Sequence, residues 1–382
     1  MFSGAGSAIE LVEGAHHTVL TLNRPKALNA LDGPMCQGIK DLLLRWKRTS
    51  HSEQPLVFVV KGAGGKAFCA GGDVKTVWQE LQDLKKSTAS SSEIGSGASG
   101  FVHSDFFRVE YEMNYLLGTS RVPQVSLWDG IVMGGGVGVS VLGRFRIATE
   151  KTLFAMPETA IGLFPDVGSS FWLPGLQPVG FGLYMGLSGV RLRASDLLQS
   201  GIATHYVRSG EIDQLVASLK AVKESNGVKQ VLDDFHERSI KSVDSSIAIL
   251  PRYAQKISNV FGDAKSVSHV FDMLLQQQGA CEWSRETLAL MNKMSPSSIH
   301  VTYAQLQRGK GRSLQECLEM EFRLMMRCMA APDFTEGIRA VLVDKDHNPR
   351  WQPAGVQDVS ETMVSKYFEP LAPSNELKLS DL

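Results

Sequence analysis

The sequence of 382 residues lacks the motifs that mark several large classes of enzyme. It contains no HExxH or CxxC pattern and no Gly-Lys-Ser/Thr phosphate loop, so a zinc site and a P-loop have little support. Ser140 lacks the second glycine of a GxSxG elbow, which argues against a serine-triad esterase. The glycine run at 134–138 fails the GxGxxG fingerprint because residue 141 is valine, so a dinucleotide site is poorly supported.

The balance of charges and the lengths of the apolar runs argue against further classes of protein. Lys+Arg is 39 and Asp+Glu is 40, so no basic nucleic-acid footprint covers the chain. No uncharged apolar run reaches the roughly 18–20 residues that span a bilayer. The five widely spaced cysteines form no secreted-type framework, which favours a reducing compartment. The first 23 residues carry two glutamates and neither Arg nor Lys, which is typical of neither a secretory signal nor a transit peptide.

The pattern of elements predicts an α/β protein. Strands are predicted at 18–22, 56–60, 124–128, 145–149 and 152–155, with an amphipathic helix over 34–48 and a helix start at 134–136. This repeated strand–loop–helix order indicates mainly parallel pairing. Beyond about residue 205 the pattern is helical, and the strongest helix is predicted over 313–329, where Ser313 and Glu316 have the spacing of a capping box. Residues 85–104, rich in Ser, Gly and Ala, predict a mobile surface insertion, with a lid as the functional alternative.

Two glycine-rich segments follow predicted strands. Gly71 and Gly72 follow one strand, and Gly134, Gly135 and Gly136 open a predicted helix. Glycine lets a ligand approach the main chain, and the first N–H groups of a helix have no internal partner. One carbonyl oxygen held between two such N–H groups would occupy an oxyanion hole. The alternative, that both segments are only tight turns, stays open at this point.

Two carboxylates, Glu158 and Asp166, lie eight residues apart among apolar and small residues. Burial would raise the pKa of each carboxyl group and prepare it for acid–base or nucleophilic work. The alternative is a helix cap or a solvated charge, and residue pattern alone leaves both interpretations open.

Together these motifs resemble the crotonase (enoyl-CoA hydratase/isomerase) superfamily. The resemblance covers about residues 9–370. It rests on four motifs in the family's order: Asn23-Arg24-Pro25, Phe68–Asp73, Met133–Gly136 and Pro157-Glu158. Within the superfamily, the sequence is most similar to the hydrolase branch that acts on 3-hydroxyisobutyryl-CoA. The segment Ala148–Asp166 carries the most specific similarity to that branch.

The resemblance implies a crotonase-type ββα spiral over residues 9–205, carrying the insertion near 85–104. It also implies a helical C-terminal region over 206–370 packed on that core. Two sheets stacked at roughly right angles are expected within the spiral.

The resemblance also assigns site residues. It implies that the N–H groups of Gly72 and Gly135 hold the thioester carbonyl. It implies that Glu158 and Asp166 are catalytic, and that Glu110, Gly135, Glu158 and Asp166 contact the substrate. Coenzyme A is expected against Lys26, Ala27, Leu28, Ala70, Gly71, Gly72 and Asp73.

One departure from the hydratases favours hydrolysis. Hydratases pair the catalytic glutamate with a second glutamate, and the matching position here is Gly138. Water addition across a double bond would therefore lack a partner for Glu158. The expected activity is hydrolysis of 3-hydroxyisobutyryl-CoA in valine breakdown. Two alternatives remain: a hydratase or isomerase that uses Glu158 alone, and a non-catalytic acyl-CoA-binding protein.

The resemblance implies no cofactor, because coenzyme A belongs to the substrate, and no metal. It implies an acyl-CoA partner, without nucleic acid or membrane, and it leaves a homo-oligomer open. Mitochondrial matrix location is expected by resemblance only, since no import signal is visible in this chain.

Overall fold

A computed structural model of the protein describes residues 7–90 and 104–382. Most of the predicted mobile insertion, 91–103, lies outside the described residues. Its first part, 85–90, forms the end of a helix, and Ser104 begins the next one.

Nine strands form two sheets in the described part of the chain. The strands are β1 (Ile9–Glu13), β2 (His17–Leu22), β3 (Val57–Gly62), β4 (Ala67–Cys69), β5 (Gln124–Trp128), β6 (Ile131–Met133), β7 (Phe145–Ala148), β8 (Leu153–Ala155) and β9 (His205–Tyr206). The larger sheet has the order β1-β2-β3-β5-β7-β9 and the smaller one β4-β6-β8. Every pairing is parallel except β1 with β2, which confirms the predicted mainly parallel arrangement.

The chain alternates between the two sheets. After β3, β5 and β7 in the larger sheet, the next strand along the chain belongs to the smaller sheet. This repeat confirms the predicted spiral. The structure adds four short strands that the sequence pattern did not predict, namely β1, β4, β6 and β9.

Helices cover the sheets and form the C-terminal half. The first seven are α1 (Gly33–Arg48), α2 (Val74–Ser90), α3 (Ser104–Thr119), α4 (Gly135–Gly138), α5 (Ser169–Trp172), α6 (Phe181–Ser188) and α7 (Ala194–Gln199). The others are α8 (Ile212–Lys220), α9 (Ser225–Ser239), α10 (Leu250–Ile257), α11 (Val267–Gln277), α12 (Glu282–Met291), α13 (Pro296–Gly309), α14 (Leu314–Ala330), α15 (Pro332–Ile338) and α16 (Glu361–Tyr367). A division of the chain at about residue 205 stays a prediction.

Both faces of the larger sheet are buried, as parallel strands require. Alternate residues of β3 show this directly. Val57 and Val59 belong to a core shared with α8 and α9, while Phe58 and Val60 belong to the core shared with α1 and α3. Trp46 of α1 meets Phe58 edge to face, with ring centroids 5.0 Å apart. The strands that carry the site are therefore fixed from both sides.

Candidate active site

The two glycine segments lie side by side at one edge of the smaller sheet. The segment with Gly72 follows β4, and the segment with Gly135 follows β6, its parallel neighbour. A β-carbon placed on Gly135 would lie 3.0 Å from Gly72 N. Within residues 7–90 and 104–382, neither N–H group donates to a backbone carbonyl. Two unused donors thus lie close together, as an oxyanion hole requires.

The two loops expected to hold coenzyme A are hydrogen-bonded to each other. Ala70 N–H donates to Leu28 O over 3.1 Å, and Leu31 N–H donates to Gly71 O over 2.9 Å. The Asp73 carboxylate is engaged by Arg24, whose Nη2 lies 2.9 Å away. Lys26 and Ala27, which precede Leu28 in the same loop, are exposed to solvent. The structure therefore brings the predicted coenzyme A residues together, and their role in binding stays a prediction.

Two buried carboxylates lie against the paired glycine segments, and a third buried carboxylate lies close to both of them. Glu110 lies on α3, and Glu158 is the first residue of a 3₁₀ turn that follows Pro157. Asp166 lies eight residues after Glu158. The three residues are 2%, 6% and 6% exposed, respectively. A β-carbon on Gly135 would lie 2.6 Å from Glu110 Oε1, and one on Gly134 would lie 2.9 Å from Glu158 Oε1. The structure thus places Glu110 and Glu158 against the glycine backbone itself.

Two of these carboxylates have buried oxygens without a partner. Among the described residues, Glu110 Oε1 and Glu158 Oε2 accept no hydrogen bond. Asp166 differs, because its Oδ2 accepts a hydrogen bond from the Tyr111 hydroxyl over 2.8 Å. Buried polar atoms in proteins nearly always have a partner. The unpartnered oxygens therefore point to a polar ligand group or water in the working site.

Burial shifts the pKa of all three carboxyl groups upward. Removal from water is the largest cause in each case. The negative charge of Asp166 further raises the pKa of Glu110 and of Glu158. The pKa of Asp166 rises to about 6, although the hydrogen bond from Tyr111 opposes the shift. The upward shifts make all three carboxyl groups weaker acids than usual, and Asp166 can exchange a proton near neutral pH, which general acid–base work requires.

The C-terminal helices hold the turn that carries Glu158. Ser295 N–H, just before α13, donates to Thr159 O over 3.0 Å. Gly162 ends the turn with a φ of +73° and lies directly against the backbone of Asp333 on α15. In return, Gly337 of the same helix lies against the backbone of Ile161. Both glycines are needed because a side chain at either position would collide with backbone.

No group of three or more His, Cys, Asp or Glu side chains suited to a metal ion is found in the two described ranges. None of the helices over 7–90 and 104–382 has the length and apolar character to cross a membrane.

A family model described as enoyl-CoA hydratase/isomerase matches residues 17–368, nearly the whole chain. The chain belongs to this family. It is 43% identical over 362 residues to the "3-hydroxyisobutyryl-CoA hydrolase, mitochondrial" of Rattus norvegicus, covering 94% of this chain and 88% of the relative. The protein of the same name from Dictyostelium discoideum is 40% identical over 360 residues, covering 94% and 90%.

Two solved structures share the fold of this chain. A carnitinyl-CoA dehydratase from Mycobacterium thermoresistibile superposes with a TM-score of 0.82 at 31% identity, covering 97% of this chain and 98% of the other. An enoyl-CoA hydratase from Rhodobacter sphaeroides gives a TM-score of 0.81 at 29% identity, covering 97% and 100%. The crotonase fold predicted from the motifs is confirmed.

Packing explains why position 138 of this family member is glycine. A β-carbon on Gly138 would lie 2.5 Å from Val167 Cβ, and the other side-chain atoms of Val167 lie at 2.9 Å. Val167 is fully buried and has a φ of +53°, so it cannot move aside easily. A second glutamate at this position would have no space. The sequence revealed the missing glutamate, and the structure shows what fills its place.

Sequence reasoning missed two residues of this site, Tyr111 and Glu321. Tyr111 lies next to Glu110 on α3 and fixes Asp166. Glu321 is fully buried on α14 and accepts hydrogen bonds from the segment that follows Asp166. A usable signal existed for Glu321, because it falls three residues after Leu318 on the apolar face of that helix. A charged residue on such a stripe is rarely buried without a purpose.

Proposed function

We propose that this protein hydrolyses the thioester of 3-hydroxyisobutyryl-CoA to the free acid and coenzyme A, a step of valine breakdown. The observation that carries the proposal is that the buried carboxylates of Glu110 and Glu158 lie against the glycine segment that bears the Gly135 N–H group, with the buried Asp166 close to both. The names of the relatives supply the substrate. No cofactor is proposed, because coenzyme A belongs to the substrate.

The thioester oxygen would accept hydrogen bonds from the N–H groups of Gly72 and Gly135. Attack on the carbonyl carbon places negative charge on that oxygen. Donors that are already in position stabilise this charge without reorganising, and each is typically worth about 3–4 kcal/mol of barrier. The tight packing of the two segments holds the donors in place before substrate arrives.

Glu158 would act on the carbonyl carbon. In one route its carboxylate bonds to that carbon, the C–S bond breaks, and the sulfur leaves as thiolate, which takes up a proton. Water then opens the resulting anhydride and restores Glu158. In the other route Glu158 takes a proton from water, which attacks directly. The unpartnered Glu158 Oε2 is available for either role.

An isotope experiment in ¹⁸O-labelled water can identify the anhydride route. Water that attacks the Glu158 carbonyl of the anhydride leaves label on Glu158, and repeated turnover accumulates it, which mass spectrometry of its peptide detects. Label on Glu158 supports the anhydride route. Label that appears only in the product through many turnovers shows that water attacks the acyl carbon, either of the thioester or of the anhydride.

Asp166 and Glu110 would recognise the 3-hydroxyl group and orient water. Both carboxylates are buried, the Asp166 charge lies close enough to raise the pKa of Glu110, and Glu110 keeps an unpartnered oxygen. A buried acceptor discriminates sharply against a substrate that lacks the hydroxyl, since it is then left unpaired.

A hydratase remains the second candidate, because the two solved structures above carry dehydratase and hydratase names. The Val167 side chain opposes this candidate, since it occupies the space beside Gly138 where a second glutamate would stand. A non-catalytic acyl-CoA-binding role is opposed by the three carboxylates, which such a role does not need.

The deciding experiment is an acyl-CoA panel with purified protein. Release of free coenzyme A is followed with a thiol reagent for 3-hydroxyisobutyryl-CoA, 3-hydroxypropionyl-CoA and isobutyryl-CoA. Crotonyl-CoA and a 3-enoyl-CoA are followed by absorbance of the conjugated double bond. Release from 3-hydroxyisobutyryl-CoA above the blank supports the proposal. Binding by calorimetry without any turnover would support the non-catalytic alternative instead.

We also propose a mitochondrial location, since both relatives are named mitochondrial. Fractionation of cells that express the full-length gene tests this. A homo-oligomer is a further proposal, and light scattering at several concentrations measures it.

A further inference from the structure

The segment that follows Asp166 has an unusual backbone. Val167 has a φ of +53° and Gly168 a φ of +89°, so two consecutive residues are left-handed. For a β-branched residue this conformation is a true outlier, and such strain persists only when surrounding contacts enforce it. The Val167 side chain is fully buried. The contacts that enforce the turn must therefore be found around it.

Glu321 of α14 supplies those contacts. Its Oε2 accepts the Gly168 N–H over 2.7 Å, and its Oε1 accepts the Ser170 N–H over 2.8 Å. The Ser170 hydroxyl also donates to Oε1, over 2.5 Å. Gln305 of α13 adds a bond from its Nε2 to Pro165 O over 2.6 Å. The residues before and after the strained turn are thus hydrogen-bonded to two C-terminal helices. These helices lie more than 130 residues further along the sequence.

Among the described residues, the buried Glu321 carboxylate acts as a hydrogen-bond acceptor and not as half of an ion pair. Glu321 is 0% exposed, and no Lys or Arg pairs with it within the described part of the chain. Burial raises the pKa of Glu321 to about 7, and the hydrogen bonds from Ser170 and Gly168 oppose that shift. An apolar side chain here would leave the Gly168 and Ser170 N–H groups buried without an acceptor, which is costly. The carboxylate provides directed acceptors that specify one backbone conformation.

We infer that Glu321 is a positioning residue: its carboxylate locks the left-handed turn at Val167–Gly168 and thereby fixes Asp166 against Tyr111. Asp166 lies directly before the locked turn, and its own backbone O accepts the Ser169 N–H over 3.0 Å. Freed from Glu321, the turn would relax and the Asp166 carboxylate would lose its alignment. The inference rests on the proposed function for its kinetic consequences only.

A double-mutant cycle tests the inference. Glu321→Gln keeps the size of the side chain but places an amide NH₂ opposite a backbone N–H. We expect kcat for 3-hydroxyisobutyryl-CoA to fall at least about tenfold with KM within about threefold of wild type. If Glu321 acts through Asp166, adding Glu321→Gln to Asp166→Asn changes kcat by less than about twofold. Losses that multiply in the double variant would overturn the inference, as would a wild-type kcat in Glu321→Gln.

Glu316→Gln is the matched control. It makes the same chemical change on the same helix, where the exposed Glu316 accepts the Ser313 N–H and closes a capping box. This variant should lower the melting temperature and leave kcat unchanged. If Glu321→Gln fails to fold, Ser170→Ala replaces it, because it removes one donor to Glu321. The same lack of additivity with Asp166→Asn is then expected, and multiplying losses again count against the inference.

A crystal structure of Glu321→Gln gives a readout that does not depend on activity. We expect Val167 to leave the left-handed region and the Tyr111–Asp166 hydrogen bond to break. Retention of both features overturns the inference, whatever the kinetics show. A wild-type protein that releases no coenzyme A overturns the proposed function instead, and the crystal structure of the variant still decides this inference.

Discussion

The Tyr111 hydroxyl donates a hydrogen bond to Asp166 Oδ2 over 2.8 Å, and both side chains are buried. Tyr111 directly follows Glu110 on α3, so one helix supplies both a carboxylate of the site and the donor that fixes another. Asp166 is therefore held from two directions, by Tyr111 at its side chain and by the locked turn at its backbone. A group fixed this firmly can recognise one hydroxyl position.

Asp166→Asn should reduce the preference for 3-hydroxyisobutyryl-CoA over isobutyryl-CoA. The ratio of the two kcat/KM values should fall at least about tenfold, because the acceptor for the 3-hydroxyl is weakened. Asp196→Asn is the control, since Asp196 is equally buried but accepts the N–H groups of Ile249 and Leu250. That variant should lose stability and keep the preference. An unchanged ratio in Asp166→Asn would remove its hydroxyl-binding role and leave the hydrolase proposal standing.

The pH profile should rise through the acid range. Burial raises the pKa of Asp166 to about 6, so the carboxylate is protonated below that pH and ionised above it. Hydrolysis that needs ionised carboxylates should therefore gain kcat/KM as the pH increases through about 6. In Asp166→Asn the remaining limb should move to lower pH, because the Asp166 charge no longer raises the pKa of Glu158. A profile that is flat from about pH 5 to 8, or falls, contradicts this assignment.

Glu158→Gln should lower kcat at least about a hundredfold with the fold intact, within the range of a positioned acid–base group. Its melting temperature at neutral pH should equal or exceed that of wild type. The reason is that the amide removes a buried carboxyl group whose ionisation is costly and whose Oε2 has no partner. Thiol-reagent assays and circular dichroism melts measure the two effects. Near-normal kcat would show that Glu158 is not the group that acts on the carbonyl.

Gly135→Ala should abolish most activity. The added methyl group would lie 2.6 Å from Glu110 Oε1 and 3.0 Å from Gly72 N, within the space where the carbonyl oxygen would bind. We expect kcat/KM to fall at least about a hundredfold, comparable to the loss of an oxyanion-hole donor. Gly210→Ala is the control, because a β-carbon there meets nothing within 4 Å. Equal activity in the two variants would place the carbonyl elsewhere.

Local patterns predicted much of the fold. The spacing of apolar residues indicated α1 and α14, and the Ser313–Glu316 capping box forms as its spacing predicts. The short strand β4, however, is one of those that the sequence pattern does not predict. The helix expected to begin at the three glycines is only the four-residue α4. Segments this short carry too few residues for a periodic signal, and pairing with neighbouring strands decides their structure.

The sequence by itself determined the chemistry available: glycines that expose backbone N–H groups, and carboxylates among apolar neighbours. It also identified Gly138 as a departure from the two-glutamate pattern. Only the tertiary structure decided that Glu110 faces Gly135, that Val167 fills the space beside Gly138, and that Glu321 fastens the turn after Asp166. The physical reason is that local sequence sets local conformation. Burial, pKa shifts and hydrogen bonds between distant residues exist only once α3 and α14 pack around the site.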